Sequence, residues 1–406
     1  MIDIVHTHTA TIQNTIEALM NEGQSVWQDD LNRAQLTSGE LQRSIDEIGI
    51  RGLTSNPTIF AKAMTSGAAY DEQIATLLHE GRGVAEVFEA VAVHDVRDAC
   101  DLFRPLYDAT SGGDGFVSIE VSPGAARNPR ATRVEVERLW TEIDRPNLMI
   151  KIPGTAEATP VIEEMLAAGI NINITLLFSL AAYERVALAY VSALEQRLAR
   201  GEPIDRVASV ASFFISRVDV LVDTLFDETI AVTDDEMTRE WLASLKGKAG
   251  IANAKVAYAK FQEIFAGPRF ARLQEAGAHV QRPLWASTSV KNPAYRDVRY
   301  VEELIGPHTV NTMPRATIEA FLDHGVASRT VDQGVDEARL VIHELAAAGI
   351  ELEAVAQRLE DEGITLFAGS YEELLRAIEA KRAALPAGVT SPRAAAFAHW
   401  FVRGSI

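Results

Sequence analysis

Lys151 stands alone in an apolar run, Leu148-Met149-Ile150-Lys151-Ile152-Pro153, closed by Gly154. Such a run predicts a strand buried on both faces. An ammonium ion is costly there unless it pairs or gives up its proton. Desolvation lowers a lysine pKa, and the neutral amine attacks a ketone or aldehyde carbonyl to form an imine. The plainer reading is a strand-end lysine whose stem covers apolar surface and whose head meets water or a carboxylate. The neighbours of Lys151 in the fold decide between the two.

Short apolar runs alternate with segments of helical period, the pattern of repeated βα units. Eight runs are expected as strands, at residues 25–30, 50–55, 116–121, 148–153, 172–177, 207–214, 283–287 and 309–313. Eight parallel strands close a (β/α)8 TIM barrel, whose working groups lie at the strand C-termini and in the loops beyond. The polar residues expected at that mouth are Asp29 and Asp30, Thr54 and Asn56, Glu120, Lys151, Asn173 and Thr175, Ser212 and Arg217, and Lys291. Adjacent aspartates face opposite sides of a strand, and the register favours Asp29. Once Lys151 forms an imine with a ketose, the iminium accepts electrons and the C3–C4 bond breaks when a base removes the C4 hydroxyl proton. Asp29 suits that transfer, Glu120 with Thr175 the handling of water, and Thr54, Asn56 and Asn173 the substrate hydroxyls. Arg217 and Lys291 with Ser212 suit a phosphate. Plainer roles exist for each: Asp30 as a turn cap, Asn56-Pro57 as a helix entry, Ser212 as a hydroxyl on backbone.

The rest of the chain is read as scaffold. Thr37 and Glu40 have the spacing of a capping box ahead of Leu41, Ile45 and Ile48. The single cysteine, Cys100, excludes an internal disulfide and is expected as a small core residue. A helical insertion is expected after strand 6, at about 231–277, and C-terminal helices at about 331–406 pack on the barrel, residues 1–406 forming one domain. Those helices are expected at 331–348, 352–362 and 371–384, with the apolar segment 394–401 docked. A formal net charge of −19 opposes nucleic-acid and anionic-membrane partners, and no apolar stretch is long enough to span a bilayer. A cytoplasmic location follows. His6 and His8 are the one close histidine pair and precede the first strand, so no metal site is expected.

The segment Gly52-Leu53-Thr54-Ser55-Asn56-Pro57-Thr58-Ile59-Phe60 resembles the first signature of transaldolases. Met149-Ile150-Lys151-Ile152-Pro153-Gly154-Thr155-Ala156-Glu157-Ala158 is similar to the family's Schiff-base signature, and residues 169–179 to its fifth-strand motif. The long insertion and helical C-terminal part suggest the longer actinobacterial or cyanobacterial branch. The resemblance implies transfer of a dihydroxyacetone unit from sedoheptulose 7-phosphate to glyceraldehyde 3-phosphate, with phosphorylated sugars as substrates and no cofactor. It implies imine formation at Lys151, acid/base work at Asp29, water handling by Glu120 and Thr175, and substrate contacts from Asn56, Asn173, Ser212, Arg217 and the aromatic Phe214. Many members carry a second phosphate-binding arginine where this chain offers Lys291, which has the charge without the fork. Three other readings stand beside it: a fructose 6-phosphate aldolase on the same scaffold, a non-catalytic sugar-phosphate sensor and a metal-dependent aldolase. A monomer and a homodimer are both compatible with the sequence.

Overall fold

The computed structural model describes residues 14–65 and 68–384. Eight parallel strands close into a barrel in chain order: β1 (Gln24–Gln28), β2 (Gly52–Thr54), β3 (Phe116–Glu120), β4 (Leu148–Pro153), β5 (Ile172–Leu177), β6 (Ser209–Phe214), β7 (Arg282–Ala286) and β8 (Thr309–Met313). β8 pairs back onto β1, Gln24 opposite Thr309 and Gln28 opposite Met313. The expected (β/α)8 barrel is therefore the fold.

The period-two alternation of each strand separates an outer apolar shell under the helices from an inner face. Outward residues such as Val117, Ile150, Ile172, Phe213 and Trp285 join the main core. The inner face is filled low in the barrel by Trp27, Phe116, Met149, Val210, Leu284 and Val310. Gly52 is required there, since a Cβ would lie 2.6 Å from the Trp27 ring. Two residues further along, the same inner face turns polar: Trp27 leads to Asp29, Gly52 to Thr54, Met149 to Lys151, Val210 to Ser212 and Val310 to Thr312. One periodicity thus builds an apolar floor and a polar mouth above it.

Between β6 and β7 the chain forms four helices, Ser216–Val232, Glu236–Leu245, Ala249–Phe265 and Pro268–Glu275. Two carboxylates of the first helix tie this region together. Asp219 accepts from the Gly250 amide (2.6 Å) and Tyr300 hydroxyl (2.8 Å), and Asp223 from the Gly247 amide (2.8 Å) and Tyr295 hydroxyl (2.7 Å).

After β8 come the helices Arg315–His324, Val335–Ala347 and Leu352–Ala384. The last is one unbroken helix through Gly363 and Gly369, in place of the two expected. At 1.5 Å per residue it is roughly 50 Å long. It runs over the C-terminal face of the barrel from the end of β5 to the helix Pro57–Thr65 that follows β2. Ser179 donates to Glu353 (3.1 Å), Arg127 pairs with Glu360 and Asp361, Thr58 donates to Ser370 (2.8 Å), and Tyr371 meets Phe88 edge-on at 5.6 Å.

The capping box expected at Thr37 and Glu40 does not form. Thr37 ends the helix Arg33–Thr37 and donates back to the Arg33 carbonyl (2.9 Å), while left-handed Gly39 (φ 72°) starts Glu40–Arg43. Glu40 pairs instead with Arg315. Cys100 is fully buried, and burial pushes its thiol pKa up. The segment 394–401 lies outside the described residues.

Candidate active site

Register brings the charged residues together. β4 places Lys151 opposite Glu120 of β3 on one side and Asn173 of β5 on the other. Lys151 Nζ lies 3.5 Å from Glu120 Oε2, with the two side chains 9% and 6% exposed. Asp29 follows β1 in extended register, its amide donating to the Met313 carbonyl (2.8 Å). Its side chain is turned inward, and Oδ1 accepts from Thr54 Oγ1 (2.7 Å). Asp30 faces away and accepts from Gln35 Nε2 (2.8 Å), so the alternation separates the adjacent aspartates as expected.

The electrostatics follow from two carboxylates beside one ammonium in a poorly hydrated mouth. Burial raises the Asp29 pKa; the Lys151 charge and the Thr54 hydrogen bond oppose it, and the Asp30 charge adds to it. Burial likewise raises the Glu120 pKa, against the charge and hydrogen bond of Lys151 and with a contribution from Asp29. Both acids therefore hold a proton to higher pH than in water. A carboxyl group whose pKa is raised in this way is a better proton acceptor and donor for a substrate hydroxyl than one in water.

Hydroxyls and amides order this centre. Thr54 and Thr312 share a hydrogen bond of 2.7 Å, making a Thr312–Thr54–Asp29 chain. Asn173 is fully buried; its Nδ2 donates to Ser118 Oγ (3.0 Å) and its Oδ1 accepts from Ser212 Oγ (2.7 Å). Nδ2 retains one N–H beyond that bond. The Thr175 hydroxyl is buried and has no hydrogen-bond partner among the described residues. Directly after it, Leu176 takes a left-handed φ of 58°, where the β5–β6 register shifts between Ile174 and Leu177. Such a bulge re-aims side chains at a barrel rim.

The other end of the mouth is cationic. Arg217, in the first turn of Ser216–Val232, is half-buried and makes no hydrogen bond or ion pair among the described residues; its guanidinium lies 5.5 Å over the Phe214 ring. Burial lowers its pKa, and the charge of Glu362 on the long C-terminal helix opposes that. Phe214 leans on Phe178 with centroids 5.1 Å apart. Gly363 lies against this corner, where a Cβ would stand 3.1 Å from Leu176 Cδ2 and 3.8 Å from Arg217 Nη1.

One expected site residue stands apart, and another has a structural duty as well. Lys291 is exposed and donates to Ser289 Oγ (2.7 Å). Asn56 caps Pro57–Thr65 through Oδ1, which accepts from the Ile59 amide (3.0 Å), leaving its Nδ2 for other work. Ser118, Thr312 and Gly363 are additions to the expected set. The first two lie on the inward parity of their strands, Ser118 two residues before Glu120, and that spacing could have found them. Among the described residues no cluster of three or more His, Cys, Asp or Glu is arranged to hold a metal ion. His6 and His8 lie outside the described residues.

The family profile "Transaldolase/Fructose-6-phosphate aldolase" matches residues 26–378. A transaldolase of Trichodesmium erythraeum is 45% identical over 91% of this chain and 98% of its own. One from Saccharopolyspora erythraea is 46% identical and one from Thermobifida fusca 44%, each over 91% of this chain and 98% of theirs. Cyanobacterial and actinobacterial relatives thus match nearly end to end.

Proposed function

The chain belongs to the transaldolase/fructose-6-phosphate aldolase family, and from that premise we propose that it is a transaldolase working through an imine on Lys151. It takes a dihydroxyacetone unit from sedoheptulose 7-phosphate, releases erythrose 4-phosphate, and adds the unit to glyceraldehyde 3-phosphate to give fructose 6-phosphate. The observation that supports the residue assignment is the inward Lys151, 3.5 Å from Glu120 and close enough for its charge to act on Asp29.

Lys151 Nζ adds to the C2 carbonyl, and loss of water from the carbinolamine leaves an iminium. Glu120, 3.5 Å from Nζ, moves the protons of that dehydration, and the unpartnered Thr175 hydroxyl holds the water. Asp29 takes the C4 hydroxyl proton; the C3–C4 pair flows to the iminium, leaving an enamine and the free aldose. The acceptor aldehyde then takes the enamine electrons, and Asp29 returns the proton to the new hydroxyl. Hydrolysis frees Lys151. Asn173, fixed from both sides by Ser118 and Ser212, offers its remaining N–H to a substrate oxygen. Thr54 orients Asp29, and Asn56 Nδ2 is a donor for a sugar hydroxyl. Arg217 takes the phosphate, helped by the amides of its own first turn. Lys291 supplies at most a diffuse charge. None of these steps calls on a metal or organic cofactor. No helix among the described residues is long and apolar enough to cross a membrane, and a cytoplasmic enzyme is the reading adopted.

Borohydride reduction in the presence of fructose 6-phosphate, followed by peptide mass mapping, tests the central step. A dihydroxyacetone or hexose adduct is expected on Lys151, and none in Lys151→Ala, whose turnover falls by roughly a thousandfold or more. An adduct on another residue, or a turnover in Lys151→Ala near that of the parent, overturns the assignment. Omitting the triose acceptor separates transfer from hydrolytic aldol cleavage: a transferase releases little free dihydroxyacetone. Arg217→Ala loses charge-assisted bonds worth about 1.5–3 kcal/mol, so KM for phosphorylated ketoses should rise roughly 10- to 100-fold. An unchanged KM removes Arg217 from the phosphate site.

A further inference from the structure

The barrel also opens at its opposite end. A cavity of about 340 Å³ enters between the strand N-termini and reaches Phe116, Met149 and Val210, the floor beneath the polar mouth. Barrels of this kind close that end with packed side chains. Here a guanidinium stands in the opening. Arg282 donates through Nη1 to Ser25 Oγ (2.8 Å) and through Nη2 to Asp114 Oδ1 (3.0 Å), and lies 5.9 Å over the Trp27 ring. Those bonds use two of its five N–H groups, and three make no hydrogen bond among the described residues.

The surroundings add positive potential. Arg206 abuts Gly112 at the rim, where a Cβ would lie 3.2 Å from its Nη1. His279 and His308, both lining the cavity, are held below the ordinary imidazole pKa by burial and by the Arg282 charge; His279 is hydrogen-bonded to the Asp205 backbone, and the His308 ring faces the cavity with an N–H to give. Asp114 and Asp205, two carboxylates nearby, are engaged. Asp114 is bound by Arg282, Ser25, Trp27 and, at 3.7 Å, Arg51; Asp205 lies 3.8 Å from Arg206. Arg51, Arg206 and Arg282 thus gather around Asp114 and Asp205 in a chain of net charge −19.

We propose that this cavity is a second ligand site, separate from the catalytic mouth, for a small organic anion: a carboxylate or phosphate on a compact apolar body. The anionic head meets the remaining N–H groups of Arg282 and the His308 imidazole, and the body rests on Phe116, Met149 and Val210. The volume is at the small end of the range for small-molecule sites.

Calorimetric titration of the full chain with benzoate, and with benzamide as its neutral counterpart, tests the site, fructose 6-phosphate being present throughout to fill the mouth. Benzoate should bind with one-to-one stoichiometry and benzamide at least about tenfold more weakly. Ala278→Leu, which fills the cavity without touching a charge, should weaken benzoate at least about tenfold while leaving turnover unchanged. Arg282→Gln should bring benzoate to the level of benzamide. The proposal fails if benzoate gives no heat up to about 10 mM, if benzamide matches it, or if Ala278→Leu binds it undiminished. Because Ala278→Leu keeps the Arg282–Asp114 pair, the test stands even if Arg282→Gln does not fold.

Discussion

At the scale of the residue, the mouth spends stability for proton chemistry. Folding raises the pKa values of Asp29 and Glu120, so the native state holds their protons more tightly than the unfolded chain does. The stability each contributes is therefore fully present below its unfolded pKa and is lost as pH rises through the raised folded pKa. Asn at position 29 cannot ionise and escapes that loss. The gain in thermal midpoint of Asp29→Asn over the parent should grow as pH rises above the ordinary aspartate range and through the raised folded pKa, while activity falls. A pH-independent difference would show that the Asp29 carboxylate carries no such penalty. Position 151 shows how composition and context divide the work: a lone lysine in an apolar strand is visible in the chain, but only the register with Glu120 and Asn173 supplies its partners.

At the scale of the element, the strands are legible because burial on both faces leaves a compositional mark. The bounds expected for β4, β5 and β8 are those observed, while β1 ends at Gln28, two residues early. Three features leave no such mark. Leu176 takes a left-handed φ that apolar Leu does not announce, and with it the bulge beside Thr175. Lys291 sits at the right distance after β7, yet its loop carries it outward to Ser289. Gly363 and Gly369 suggest breaks in the last helix, but local propensity costs only about 1 kcal/mol per glycine and packing overrides it. The two glycines differ in what surrounds them. At Gly369 an added methyl group would meet nothing within 4 Å, so Gly369→Ala should stabilise by roughly 0.5–1 kcal/mol in chemical denaturation. Gly363→Val should push the helix away from Leu176 and Arg217 and raise KM for phosphorylated ketoses several-fold, with helical content retained. Equal behaviour of the two variants would deny Gly363 its spacing role.

At the scale of the whole molecule, a chain of net charge −19 receives anionic sugar phosphates. The overall field repels them, and the half-buried Arg217 acts only at short range. Salt screens the distant repulsion, with a Debye length of about 10 Å at 0.1 M, far more than it screens a partly buried contact. Raising ionic strength from about 10 mM to about 150 mM should therefore increase kcat/KM for a sugar phosphate, and a decrease would show that local attraction dominates. The helix Leu352–Ala384 gives the molecule a direction in time as well as in space. A ribosome delivers the chain from its N-terminus, so all eight strands have emerged before that helix exists. A nascent barrel can thus close around Lys151 while its upper face is still bare, so the cover over the mouth is the last layer the chain adds among the described residues.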